Sequence, residues 1–120
     1  MAINNRVTTI NSALYNVAGN DEVIMVNTSR PTTVILPSDD ANKYEKRVLY
    51  IKDYFGKAKT NPITVVSAGG KTIDGASFIS LNKSYAHLQV VYDGTNWNTM
   101  SQLGTSANKK KLKDYFNLFK

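Results

Sequence analysis

The strongest constraint on this chain is the shortness of its strand-forming runs. Between Val7 and Met100, β-branched and aromatic residues gather in eight runs of four to six residues, each closed by a turn residue. Val7-Thr8-Thr9-Ile10 comes first, followed by residues 22–26, 32–36, 47–52, 63–66, 78–81, 87–92 and 96–100. Residues of this kind fit a pleated, half-buried surface. Pro31 and Pro37 bracket the third run, and proline lacks the N–H that a strand interior needs, so no strand passes through either position. Asp93-Gly94 lies between two apolar runs, where a primed turn demands positive φ; it is the clearest hairpin signal. Asn61-Pro62, Gly69-Gly70 and Asp74-Gly75 punctuate the middle, and Gly56 turns the chain after the fourth run. Helical periodicity is missing before residue 105, apart from one turn's worth across 39–44. The pattern predicts an all-β fold: a small antiparallel β-sandwich or barrel-like domain over residues 1–104. A basic tail over 105–120 is expected to form a short amphipathic helix.

Runs 22–26 and 48–51 are nearly continuous in apolar residues. A strand wet on one face alternates, so both faces of these strands are expected to be covered, by another sheet or by another subunit.

A chain of 120 residues is about one domain long. It has no cysteine to supply disulfides or thiolate ligands, and one histidine, His87, cannot make a His-rich zinc site. The expectation is no metal and no cofactor, with self-association as the remaining way to cover apolar surface. No run approaches the roughly 20 apolar residues of a membrane span. Met1-Ala2-Ile3-Asn4-Asn5-Arg6 lacks a secretory pattern, which predicts synthesis in a cytoplasm.

The net charge of +6 is concentrated at one end. Residues 109–120 hold five lysines against Asp114, which is +4 of the total. The body is nearly neutral, so nucleic acid is not an expected partner of the domain. In the tail, Leu112, Tyr115, Phe116 and Phe119 recur at i, i+3, i+4 and i+7 and share one helical stripe, with Lys110, Lys111 and Lys113 largely off it. A helix of about 12 residues is marginal alone in water, so this stripe is expected to dock on a partner. Leu112, Tyr115, Phe116 and Phe119, with Lys110, Lys111 and Lys113, are the candidate attachment residues. Protein docking is preferred to nucleic-acid binding, because an apolar docking face accounts for the aromatics.

Signals for catalysis are weak. Asp39-Asp40 is an acidic pair, but neighbours in sequence point apart and Ser38-Asp39-Asp40 is ordinary turn composition. His87 has no nucleophile motif beside it. Gly69-Gly70-Lys71-Thr72 has the end of a phosphate-binding loop without its first glycine, since position 65 is Val65. The chain is therefore expected not to be an enzyme. Asn27 and Asn82 head glycosylation-like triplets that read as turns in the absence of a secretory signal. Tyr85, Tyr92 and Trp97 are the aromatics from which a sugar-stacking surface could be drawn. Core or subunit interface is the commoner use of such residues.

Five pieces in order carry a resemblance. They are Thr32-Thr33-Val34-Ile35-Leu36-Pro37, Val48-Leu49-Tyr50-Ile51-Lys52-Asp53, Asn61-Pro62-Ile63-Thr64-Val65, Ile73-Asp74-Gly75 and Val90-Val91-Tyr92-Asp93-Gly94-Thr95-Asn96-Trp97. Together they resemble a recurrent module of tailed-phage virion proteins, found in tail fibres, spikes and surface proteins of phages and some large viruses. The resemblance spans roughly Tyr15 to Met100. It implies a β-rich, often trimeric module whose partners are copies of itself and other virion proteins. The module begins almost at the N-terminus and carries a basic tail. These departures favour an oligomeric accessory or decoration protein on capsid or tail over a complete fibre. The alternative is a tail-fibre-like module that binds host-surface glycan. Val48, Ile51 and Trp97 are expected in the core or at a subunit interface, and Asp53 and Asp74 are expected to cap turns.

Overall fold

The computed structural model describes residues 7–27, 29–37 and 47–107. They form ten strands and, among the described residues, no helix: β1 (Val7–Ile10), β2 (Leu14–Asn16), β3 (Val23–Val26), β4 (Thr32–Ile35), β5 (Val48–Asp53), β6 (Ile63–Val66), β7 (Phe78–Leu81), β8 (His87–Tyr92), β9 (Trp97–Leu103) and β10 (Thr105–Ala107).

Two five-stranded sheets result. One runs β1-β3-β5-β8-β9, and the other, from the same end, β2-β4-β6-β7-β10. The chain swaps sheets at each step through β6, so β1/β2, β3/β4 and β5/β6 are three stacked rungs, one strand in each sheet. β7 stays in the second sheet and reverses direction. β8 follows β5 in the first sheet and β7 follows β6 in the second, with β9 and β10 as the edge strands at that end.

Here the antiparallel expectation is corrected. β1, β3 and β5 are mutually parallel, as are β2, β4 and β6, whereas β7–β10 pair antiparallel. Parallel neighbours need a crossover of a dozen or more residues, usually a helix. In this chain a strand of the facing sheet supplies the crossover, so parallel pairing arises without helices.

Alternation along each strand sets the core. Ile24, Val26, Leu49, Ile51, Leu88 and Val90 point inward from the first sheet and meet Val34, Val65, Ile79 and Leu81 from the second, in one buried cluster. Corners of successive rungs are tied together. Thr32 is buried, donates its hydroxyl to Ser12 O at 3.1 Å and its N–H to Pro62 O at 3.1 Å. No polar group of that side chain is left without a partner, as burial requires.

Among the described residues, the continuous apolar runs have one covered face. Val23, Met25 and Val48 are half-buried on the outward side, and Tyr50 is 43% exposed there. The structure also takes Thr105–Ala107 into the second sheet as β10, paired with β7, so the sheet runs past Gly104. The remainder of the tail, with the expected helix, lies outside the described residues.

Candidate functional site

Cross-strand register builds two rows on the outer face of the first sheet. Val7, Val23, Tyr50, Gln89 and Ser101 form one row, and Thr9, Met25, Lys52, His87 and Leu103 form the next. A β-bulge between Gln89 and Val90 shifts the last pairings and leaves Met100 exposed. Between the rows runs a shallow groove of 480 Å³, floored by Ile51 and Leu88 and walled by Val23, Met25, Tyr50 and His87.

Polar groups on this face bond to one another. Gln89 Nε2 donates to Tyr50 Oη at 2.8 Å, and Lys52 Nζ donates to Tyr85 O at 2.6 Å. His87 Nε2 lies 3.1 Å from Ser101 Oγ. Among the described residues no carboxylate, the third group that fixes a tautomer in a triad, bonds to that imidazole. No group of three or more His, Asp or Glu residues among those described could hold a metal ion. What the face offers is an apolar strip with polar edges, which is suited to contact.

Carboxylates in the described body build loops. Asp21 is buried and accepts from Thr8 Oγ1 at 2.7 Å, from Ala18 N at 2.8 Å and from the Tyr15 hydroxyl. Asp53, also buried, accepts from Lys57 N at 3.0 Å, Ala58 N at 2.9 Å and Tyr85 N at 2.9 Å. Asp74 reaches across to Thr99 N at 3.0 Å and to the Thr99 hydroxyl. Asp93 accepts from Asn96 N, Asn98 Nδ2 and Thr95 N, each at 2.8 Å. Those donors, Asn96 N foremost, hold its carboxyl below the ordinary 3.8.

Of the residues singled out in the sequence, Trp97 and Ile51 are fully buried and Val48 is half-buried opposite Val91 on the outer face. Tyr92 is buried beside Trp97, whereas Tyr85 is exposed. Thus the structure does not bring Tyr85, Tyr92 and Trp97 together on a surface. Asn82 Nδ2 donates to Ser106 Oγ at 2.9 Å, tying the turn after β7 to β10. Lys71, of the glycine–lysine string, gives its carbonyl to the Ser67 hydroxyl. Asp39 and Asp40 lie outside the described residues, as do Leu112, Tyr115, Phe116, Phe119, Lys110, Lys111 and Lys113. No helix among the described residues is long and apolar enough to cross a membrane.

Sequence reasoning passed over the outer-face groove, because strand alternation identifies outward residues without saying which strands lie side by side. It also passed over Tyr54 and Phe55, half-exposed in the turn after β5.

No protein-family model matches the chain. It is similar to the baseplate wedge protein gp10 of Enterobacteria phage T4, at 36% identity over 69 residues. That stretch is 56% of this chain and spans 11% of the length of the relative. The likeness is to a structural component of a tailed-phage virion, and it is a likeness of one part of each protein.

Proposed function

We propose that this chain is a structural module of a tailed-phage virion that acts by docking on other virion proteins and on copies of itself, without catalysing a reaction. The observation that carries this reading is the 36% identity to a phage baseplate wedge protein. A sheet pair whose apolar outer face is left uncovered by the described residues, and whose carboxylates build loops, supports it, because such a body is made for contact. On this reading the outer face around Val23, Met25 and Tyr50 is covered by neighbouring subunits, in threes as in the modules it resembles. The tail stripe of Leu112, Tyr115, Phe116 and Phe119 attaches the module to the particle, and the tail apparatus is the favoured location.

The host-glycan alternative loses two of its three aromatics to the core, since Trp97 is 0% and Tyr92 2% exposed. Immunogold labelling of purified particles by electron microscopy tests the proposal. Label at a fixed place on the virion is the expected result, and purified particles free of the protein would overturn it.

A further inference from the structure

One corner of the molecule combines backbone strain with exposed aromatic surface. Tyr85 adopts φ +63°, a left-handed conformation that costs about 1–2 kcal/mol for a residue with a Cβ. Its backbone is pinned there on both sides: its N–H donates to the buried Asp53 carboxylate at 2.9 Å and its carbonyl accepts from Lys52 Nζ at 2.6 Å. The ring then lies over Gly56, where a Cβ would stand 2.5 Å from Tyr85 Cε2. Despite that contact the side chain remains 55% exposed. Glycine or asparagine would hold this backbone with less strain. Burial does not explain a tyrosine here.

Gly56 directly follows an aromatic pair in the chain. Tyr54 and Phe55 meet edge to face, with centroids 4.5 Å apart and planes at 64°. Cations flank the cluster: Lys52 Nζ stands 5.7 Å from the Tyr85 ring and Lys57 Nζ 5.7 Å from the Phe55 ring. The neighbouring Lys59 and Lys83 are exposed as well. Among the described residues of these two turns the one carboxylate is Asp53, buried and bonded to three N–H groups, so nothing there neutralises the lysines.

We propose that the Tyr54–Phe55–Tyr85 corner, bordered by Lys52 and Lys57, seats in an apolar recess rimmed by carboxylates on a neighbouring virion protein. The inference rests on the virion reading above and adds to it the surface used and the chemistry of its partner. Charge complementarity selects an acidic rim. Edge-to-face packing makes Tyr54 and Phe55 one composite knob, and the Tyr85 ring lies over the next residue, Gly56; the packed pair offers no parallel platforms on which successive bases or sugars would stack. Rigid aromatics at the centre of a contact are the residues whose removal weakens it most.

The test is co-sedimentation of the purified full chain with particles or tails that lack it, comparing wild type with Tyr85→Asn, Phe55→Ser and Tyr85→Phe. Tyr85→Asn is expected to melt no lower than wild type, yet to bind at least about 10-fold more weakly. Phe55→Ser, at a half-exposed position with ordinary φ, should lose binding by a similar factor, while Tyr85→Phe should retain it. Binding should weaken as salt is raised. Wild-type binding that both ring-removing variants preserve overturns the corner while leaving the virion reading intact. Wild type that binds no particle component overturns both. Retention on polygalacturonate that Tyr85→Asn abolishes would assign the corner to an acidic glycan and overturn the protein partner.

Discussion

Tyr92 and Trp97 are register partners across the β8–β9 hairpin, and their rings meet at 5.1 Å with an interplanar angle of 53°. Both are buried, and neither Tyr92 Oη nor Trp97 Nε1 has a hydrogen-bond partner among the described residues. A buried hydroxyl without a partner carries a desolvation cost of about 1–3 kcal/mol. Tyr92→Phe keeps the ring contact and removes that cost. It is expected to raise unfolding stability by about 1 kcal/mol in urea denaturation. A loss of that size instead would mean that the hydroxyl is bonded in solution.

Gly56→Ala should do the reverse. Gly56 sits at φ +72°, and the new methyl would meet the Tyr85 ring at 2.5 Å. The left-handed backbone alone costs about 1–2 kcal/mol for alanine. Moving the ring adds to this, so a destabilisation of about 2 kcal/mol or more is expected from the urea midpoint. Pairing it with Tyr85→Asn should recover the steric part, which a double-mutant cycle measures directly.

These two glycine and tyrosine positions also mark what the sequence made legible. Gly56 was readable as the turn after β5, and Asp93-Gly94 as the β8–β9 turn, because each needs a conformation that few residues adopt. Strands β1 and β3–β9 lie within a residue or a few of the β-branched runs, since alternation is a local signal. Leu14–Asn16 and Thr105–Ala107 were missed: three residues carry too little pattern. Parallel pairing of β1–β3–β5 was not readable either. A strand's own residues specify which face is inward, while its partner is set by where the chain returns after crossing to the other sheet. The Tyr85 contact with Gly56 joins positions 29 apart in sequence and could not be seen before the turns were placed together.

Asp53→Asn tests whether that carboxylate organises the corner. Oδ1 accepts from Lys57 N, and Oδ2 from Ala58 N and Tyr85 N. An amide offers one oxygen, so at least one of these three N–H groups would face an NH₂ group. The expected loss is about 2–3 kcal/mol. Hydrogen exchange at Lys57, Ala58 and Tyr85 should accelerate more than exchange in β6 or β7; uniform acceleration would argue against a local role.

The β8–β9 hairpin should weaken in acid. Asp93 is held below the ordinary 3.8 by Asn96 N, Asn98 Nδ2 and Thr95 N, so its ionised form is the one the fold favours. A carboxyl depressed in the folded state contributes stability above the unfolded value and loses it as pH falls through the folded one. Asp93→Ala is therefore expected to be less stable than wild type at neutral pH, with the difference shrinking below 3.8. Urea midpoints at pH 7 and about pH 2 give the comparison. A gap that is constant over this range would mean that Asp93 acts through turn geometry alone.

Ending the chain after Ala107 separates folding from attachment. All ten described strands end by that residue, and β10 closes its sheet against β7 through Thr105, Ser106 and Ala107. The deleted segment carries Leu112, Tyr115, Phe116 and Phe119 at the i, i+3, i+4, i+7 spacing of one stripe, with five lysines in 109–120. If the stripe is the attachment surface, the truncated protein should keep its melting temperature within a few degrees while its incorporation into particles drops about 10-fold or more. On the same condition Lys110, Lys111 and Lys113 would add long-range attraction to an acidic surface, so their combined change to glutamine should slow association mainly at low salt. Full incorporation of the truncated protein would remove the tail from the attachment site, and would leave the outer face of the first sheet and the Tyr54–Phe55–Tyr85 corner as the contacts that hold the module.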